Sequence, residues 1–227
     1  MLQEKDNAGV ERAVPGDIVD AVFAIFCRSL PVDHAYALSQ EIQAALPWFA
    51  DEPGAGLHTI HGAASASGWM RPEEPDALLQ LSQRARLVLR LPRHRLDDAA
   101  ALLGRTLQVA GWPLRVDKVA MRPLSRITTL FSRCVVLAAA GDESAFLAAA
   151  AGELGALGIN PARMLCGRVT PIATPACIYR ARSLMLAGLT PAHSLALQRH
   201  GLGAERKLGC GLFIPHKDIA DLRSGLD

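Results

Sequence analysis

Three histidines stand in the front half of the chain where their neighbours give them something to do: His34, His58 and His61. Imidazole titrates near neutral pH, so these are first candidates for general acid–base work, worth about 10²–10⁴-fold in rate. His34 falls at the start of a predicted helix, whose positive end lowers an imidazole pKa and favours a nearby anion. Spacing alone favours the plainer description, a polar first-turn residue. His58 and His61 follow a glycine-containing loop, and three residues apart on a strand they face opposite sides. At most one of them then serves a given reacting group, and either reads as readily as a hydrogen-bonded loop or strand histidine. A second cluster joins Gly201, Gly203, Arg206, Lys207, Gly209 and Gly211. Glycines let backbone approach an anion closely, successive amides form an anion nest, and the two cations add charge. The plainer reading is a basic turn closing a hairpin. His200 either joins this cluster or caps a helix end. Arg84, Arg86 and Arg90 sit on alternate positions of RARLVLRL, which puts one arginine face on a strand, offered to an anion or to water.

The rest of the composition narrows the chemistry. The five cysteines contain no C-x-x-C pair and are odd in number, which argues against a disulfide framework or a zinc site and for small buried residues in a reducing cytosol. No metal site and no cofactor are expected. With 24 Lys+Arg against 22 Asp+Glu, the net charge of +2 permits an anionic partner without demanding one. No signal peptide or apolar run long enough to span a bilayer is visible, so a cytoplasmic protein with no membrane partner is expected.

These residues need elements to hold them. Residues 1–15 read as a loose terminus. Asp17–Leu30 reads as a strand, and Asp33–Trp48 as a helix with Asp33 as N-cap and Pro47 at its end. Leu57–Ala63 and Arg84–Leu91 read as strands, Leu96–Val109 as a helix and Trp112–Leu124 as extended. That order is βαββαβ, the ferredoxin-like unit. The second half repeats it: strand Leu130–Ala139, helix Glu143–Leu157, strands Arg163–Val169 and Cys177–Ala187, helix Pro191–Arg199 with Thr190 as N-cap, and strand Leu208–Ile214. The predicted fold class is α+β, two ferredoxin-like domains in tandem. The expected divisions are 1–15, 16–126, 127–217 with the glycine-rich loop, and a tail at 218–227.

The duplicated order, the stretch GLGAERKLGCGLF from Gly201, the front segment LPVDHAYAL from Leu30, the segment GLHTIHG from Gly56 and LQRHGLG from Leu197 together resemble one family. The chain is similar to the Cas-six endoribonucleases of the RAMP superfamily, in the branch named after myxobacterial CRISPR systems, from about Asp17 to Lys217. The resemblance implies metal-independent cleavage of a CRISPR repeat hairpin by 2′-hydroxyl attack, leaving a 2′,3′-cyclic phosphate. It places a catalytic histidine at His34, gives His58 or His61 a supporting role, and makes the partners pre-crRNA or crRNA and other Cas proteins of a Cascade-like complex. Aromatics are 5% of the residues and no RNP-like aromatic strand is present, so stacking of bases on a sheet is not expected. Two other readings fit the same residues. One is a non-catalytic guide-RNA-binding subunit, in which the histidines are incidental. The other is a regulatory ferredoxin-like pair, which leaves the glycine and basic loop unexplained.

Overall fold

In the computed structural model the described residues are 18–62, 72, 74, 77–138 and 141–216. The readings for 1–15, Ala63, Lys217 and 218–227 lie outside them. The first domain runs β1 (Ile18–Phe26), β2 (Ser29–Pro31), α1 (Ala35–Ala45), α2 (Trp48–Asp51), β3 (Gly56–His58), β4 (Leu78–Gln80), β5 (Arg86–Pro92), α3 (Leu96–Ala99), β6 (Thr106–Val109) and β7 (Trp112–Pro123). Its antiparallel main sheet has the order β3-β5-β1-β7-β6. Without the edge strand β6, this is the second-third-first-fourth strand order of a ferredoxin-like unit. The second domain runs β8 (Leu130–Val136), α4 (Glu143–Ala156), β9 (Arg163–Ala173), β10 (Ile178–Ala187), α5 (Pro191–His200) and β11 (Ile214–Pro215), with sheet order β11-β8-β10-β9. The same topology therefore occurs twice. No helix among the described residues is long and apolar enough to cross a membrane.

Strand alternation sets which side of the first sheet holds the core. On β1, Val19, Ala21, Phe23 and Ile25 are buried against Leu38, Ile42 and Leu46, which recur every fourth residue along and just beyond α1. The opposite face of β1 carries Asp20, Val22, Ala24 and Phe26. Asp20 is 3% exposed, so this face is also covered at one end.

Four local expectations are corrected. Leu96–Val109 is not one helix: single helical turns end near Leu102, and Thr106–Val109 pairs with β7. Ala110 and Gly111, with φ of 51° and 84°, supply the two positive-φ positions of a tight hairpin turn. The Leu57–Ala63 strand stops at His58. The last strand is only Ile214–Pro215, because Arg206–Leu208 forms a helical turn and glycines follow. Asp33 does not cap α1. Its Oδ2 accepts from Ala173 N at 3.3 Å, across to β9, and His34 occupies the cap position.

The glycine amides of the C-terminal loop are bonded within the protein, to one carboxylate and to backbone carbonyls. Gly203 N donates to Glu153 Oε2 at 2.9 Å, Gly209 N to Arg206 O at 3.2 Å and Gly211 N to Cys134 O at 2.7 Å. Those amides are engaged inside the fold, which corrects the anion-nest reading. Gly211 has φ of 67°, and a Cβ there would stand 2.1 Å from Leu202 O. Gly104, at φ of 76°, has nothing within 4 Å of such a Cβ. Gly104→Ala therefore meets only the dihedral penalty, about 1–2 kcal/mol. Gly211→Ala adds the steric clash and should cost clearly more, about 3 kcal/mol or above. Urea midpoints of the two variants check the ranking, and equal midpoints contradict it.

Candidate active site and RNA interface

A cleft of about 730 Å³ opens between the domains. The first domain contributes His34 and His61 to its wall, and the second contributes Arg133 on β8 and Arg168 on β9. Two histidines and two arginines thus line one space.

His34 is 2% exposed and held at both ring nitrogens. Nδ1 lies 2.9 Å from Pro31 O, so it carries the proton and donates. Nε2 is then the acceptor for Ile60 N–H at 3.1 Å. The contact locks the neutral tautomer and pins the segment that ends in His61. His61 lies beyond β3, half-buried, with Nε2 3.2 Å from Thr59 Oγ1. Because the strand ends at His58, the two neighbouring histidines part company, and only His61 joins His34 on the cleft wall.

His58 belongs to a different cluster, where the domains meet. Its Nε2 is 3.8 Å from Asp20 Oδ1. Asp20 accepts from Arg90 Nε at 2.9 Å and Nη2 at 3.3 Å, and from Arg122 Nη2 at 3.0 Å. Arg90 Nη1 donates to Gln198 O at 3.0 Å and Phe213 O at 2.8 Å, both in the second domain. Arg90 is 0% exposed. The arginine face predicted for Arg84, Arg86 and Arg90 is therefore split: Arg84 and Arg86 are exposed, and Arg90 is an internal tie. The period-two pattern located the right face. It could not show that the second domain covers half of it.

Burial pushes the Asp20 carboxyl up, but His58 and the Arg90 guanidinium outweigh it and hold it well below the usual carboxylate range. Burial pulls His58 below its ordinary value, with Asp20 opposing and Arg90 and Arg122 reinforcing. The signs combine in one direction. The unfolded His58 binds its proton more readily than the folded one, so stability falls as pH drops below about 6.5. Asp20 adds stability that is present above about pH 4 and lost as pH falls below it. Melting midpoints at stepped pH should show both declines, and His58→Gln should remove the upper one. An unchanged upper step in that variant contradicts the assignment.

The basic residues of the C-terminal loop serve as struts. Lys207 Nζ donates to Glu52 O at 2.5 Å and Ala55 O at 3.0 Å and lies 4.7 Å over the Phe49 ring. Arg206 donates to His200 O and to Gly54 O. Burial pulls Arg206 down to about 10 and Lys207 down to about 8. These contacts run against their expected role as open phosphate receivers, since carbonyls of His200 and of the 52–55 turn already accept from them. His200 is exposed, and its part in the loop is its carbonyl. Gly209 abuts Thr59, so the loop props the segment that presents His61. Tyr36 packs against a cluster that includes Ala35, Cys134 and Leu208.

Arg133 and Arg168 escaped the sequence reading. They lie on two different second-domain strands with no basic cluster to mark them, and only the docking of the domains brings them to the histidines. Burial lowers the Arg133 pKa, and the guanidinium sits 5.8 Å over the Phe131 ring. Asp20 was also missed, although one carboxylate within the apolar run IVDAVFAIF signals a buried partner. Among the described residues, no three His, Cys, Asp or Glu side chains converge as metal ligands.

Comparison with known proteins adds to this geometry. The profile of the family described as Cas6 Crispr matches residues 19–218. A CRISPR-associated endonuclease Cas6 of Myxococcus xanthus is 31% identical over 206 residues, covering 91% of this chain and 85% of its own. A solved structure described as CRISPR associated protein Cas6 superposes with a TM-score of 0.62 at 10% identity, over 88% of this chain and 100% of that one. Another, described as an RAMP protein binding different RNA substrates, gives 0.59 at 12% identity, over 88% and 100%. These likenesses agree with tandem ferredoxin-like domains, and the match along nearly the whole sequence decides the rest: the chain belongs to the Cas6 family.

Proposed function

We propose that the protein is an endoribonuclease that cuts CRISPR repeat RNA in the cleft between its domains, without a metal. The observation that carries this is the convergence of His34 and His61 with Arg133 and Arg168 on one cleft. The name of the Myxococcus relative, a CRISPR-associated endonuclease, supports the reaction class. The 2′-hydroxyl attacks the adjacent phosphate, the O5′ leaves, and a 2′,3′-cyclic phosphate and a 5′-hydroxyl result. One histidine takes the proton from the 2′-hydroxyl and the other delivers one to O5′. The guanidiniums hold the charge on the phosphorane. Pro31 O fixes the His34 proton on Nδ1, which directs Nε2 to the transfer once Ile60 N–H gives way.

The test is incubation of the purified protein with a labelled cognate repeat hairpin in EDTA. A single cut with a cyclic-phosphate end supports the proposal, and loss of cutting that magnesium restores refutes the metal-free scheme. The deep burial of His34 favours a second reading, a guide-RNA-binding subunit without catalysis, and tight binding without cutting would select it. Cations of the cleft also separate from those of the loop. Arg168→Ala should flatten the salt dependence of RNA affinity by about one phosphate contact, a slope change of roughly 0.7–0.9. Lys207→Ala should lower stability and leave that slope unchanged. The reverse pattern would return the phosphate contacts to the glycine loop.

A further inference from the structure

The outer face of the first sheet is covered at one end and open at the other. At the covered end, Arg90 ties Asp20 to carbonyls of the second domain. Six residues away on the same face of β1 stands Phe26, 62% exposed, while Phe23, Phe49, Phe146 and Phe213 are each 0% exposed. Burial of a phenyl ring is normally worth about 2–3 kcal/mol, so an exposed ring on a central strand is a feature to explain. The strand register surrounds it with cations. Arg115 on β7 lies directly opposite Phe26, and Arg86 on β5 lies opposite Ala24 on the same face. Thr106 of β6 flanks Arg115. Arg28 and Arg84, two residues along the chain from Phe26 and Arg86, are both exposed. Arg86 Nη1 rests on Gln83 O and Ala85 O, which keeps its charge at the sheet. Among the described residues, no acidic side chain forms an ion pair with these four arginines.

We propose that this open half-sheet is a stacking platform for single-stranded RNA: a base lies on Phe26, and Arg86 and Arg115 hold the phosphates on either side. It is separate from the cleft, whose wall does not include Phe26. A flat ring accepts any base, and the arginines supply charge and further stacking, so the site binds strand rather than sequence. A protein interface would set Phe26 among large apolar side chains, whereas here its cross-strand partner is Arg115, the small Ala24 beside it faces Arg86, and Asp117 and Lys118 follow on β7. The proposal departs, at this one position, from the expectation that no sheet aromatic stacks bases. The inference rests on the preceding reading only in taking RNA as the ligand. In a repeat transcript, the strand beside the hairpin would occupy the platform.

The experiment uses the full chain and a labelled unstructured decauridylate, with affinity read by fluorescence anisotropy at fixed salt. Phe26→Ala should weaken binding roughly 5- to 100-fold, and Phe26→Trp should restore it. Arg115→Ala should weaken binding and reduce the salt slope. Melting midpoints confirm that each variant is folded. Unchanged affinity in Phe26→Ala overturns the proposal and leaves the patch as a seat for another protein. Failure of Trp to restore affinity, or no binding by the unsubstituted chain, overturns it as well. Hairpin cleavage is scored separately. A chain that cuts no cognate hairpin but loses decauridylate affinity through Phe26→Ala supports the platform and counts against the nuclease reading.

Discussion

His34→Ala and His61→Ala should each slow single-turnover cleavage of the cognate hairpin by about 10²–10⁴-fold, the range for losing one proton carrier. The two variants should differ in every other respect. His34 is buried, and its Nε2 receives Ile60 N–H, so removing the ring strands a buried amide and costs about 1–3 kcal/mol of stability. His61 is half-buried beside Thr59, and its removal should leave the melting midpoint nearly unchanged. Two measurements per variant therefore separate chemistry from support. If His34→Ala loses stability and keeps its cleavage rate at a temperature where it is folded, His34 is a positioning residue and His61 carries the proton. If His61→Ala cuts at the normal rate, the two-histidine scheme fails. His58→Ala is the contrast, because His58 faces Asp20 in the domain junction and not the cleft. Its effect should fall on stability.

What could be read from the sequence follows a physical division. Apolar composition and periodicity carried β1, α1, β5, α4, β10 and α5, because each packs an apolar face against its domain's core. The duplicated order of elements followed from those and gave the tandem fold. The stretch after Leu96 was misread because LDDAAALLG has strong helical composition, whereas the Ala110–Gly111 turn that ends the helical reading depends on two positive-φ residues with weak sequence signatures. The site was half legible. His34 and His61 stand out by type, and both lie on the cleft. Arg133 and Arg168 do not, because their meaning comes from a cleft shared with residues more than 70 positions earlier in the chain. The same long-range docking misassigned Arg90, Arg206 and Lys207. A basic residue near glycines or on a strand face looks solvent-directed until the covering domain is in place. A residue's type gives its chemistry, and only the docked fold gives its audience.

Arg90 shows how strongly that docking is built. Its guanidinium makes two bonds to Asp20 and one each to Gln198 O and Phe213 O, with no exposure to solvent. Gln198 in turn clamps the connection between the domains: its Oε1 accepts from Ser125 N at 3.1 Å and its Nε2 donates to Ser125 O at 2.6 Å. Arg90→Ala leaves a buried carboxylate with only the exposed Arg122 as a cation, and two carbonyls without donors. Breaking a buried pair from one side costs about 3–5 kcal/mol, and at roughly 2–4 °C per kcal/mol for a chain of this size the melting midpoint should fall by about 6–20 °C. Arg90→Lys should recover little, since one ammonium cannot span the carboxylate and both carbonyls. Combining Arg90→Met with Asp20→Asn should return part of the loss, because the stranded charge is gone while the carbonyls still lack donors. If the double variant is no more stable than Arg90→Ala, the carbonyl bonds to the second domain dominate the tie. If Arg90→Ala melts with the unsubstituted protein, the junction is held by apolar packing alone and the charge cluster is incidental to it.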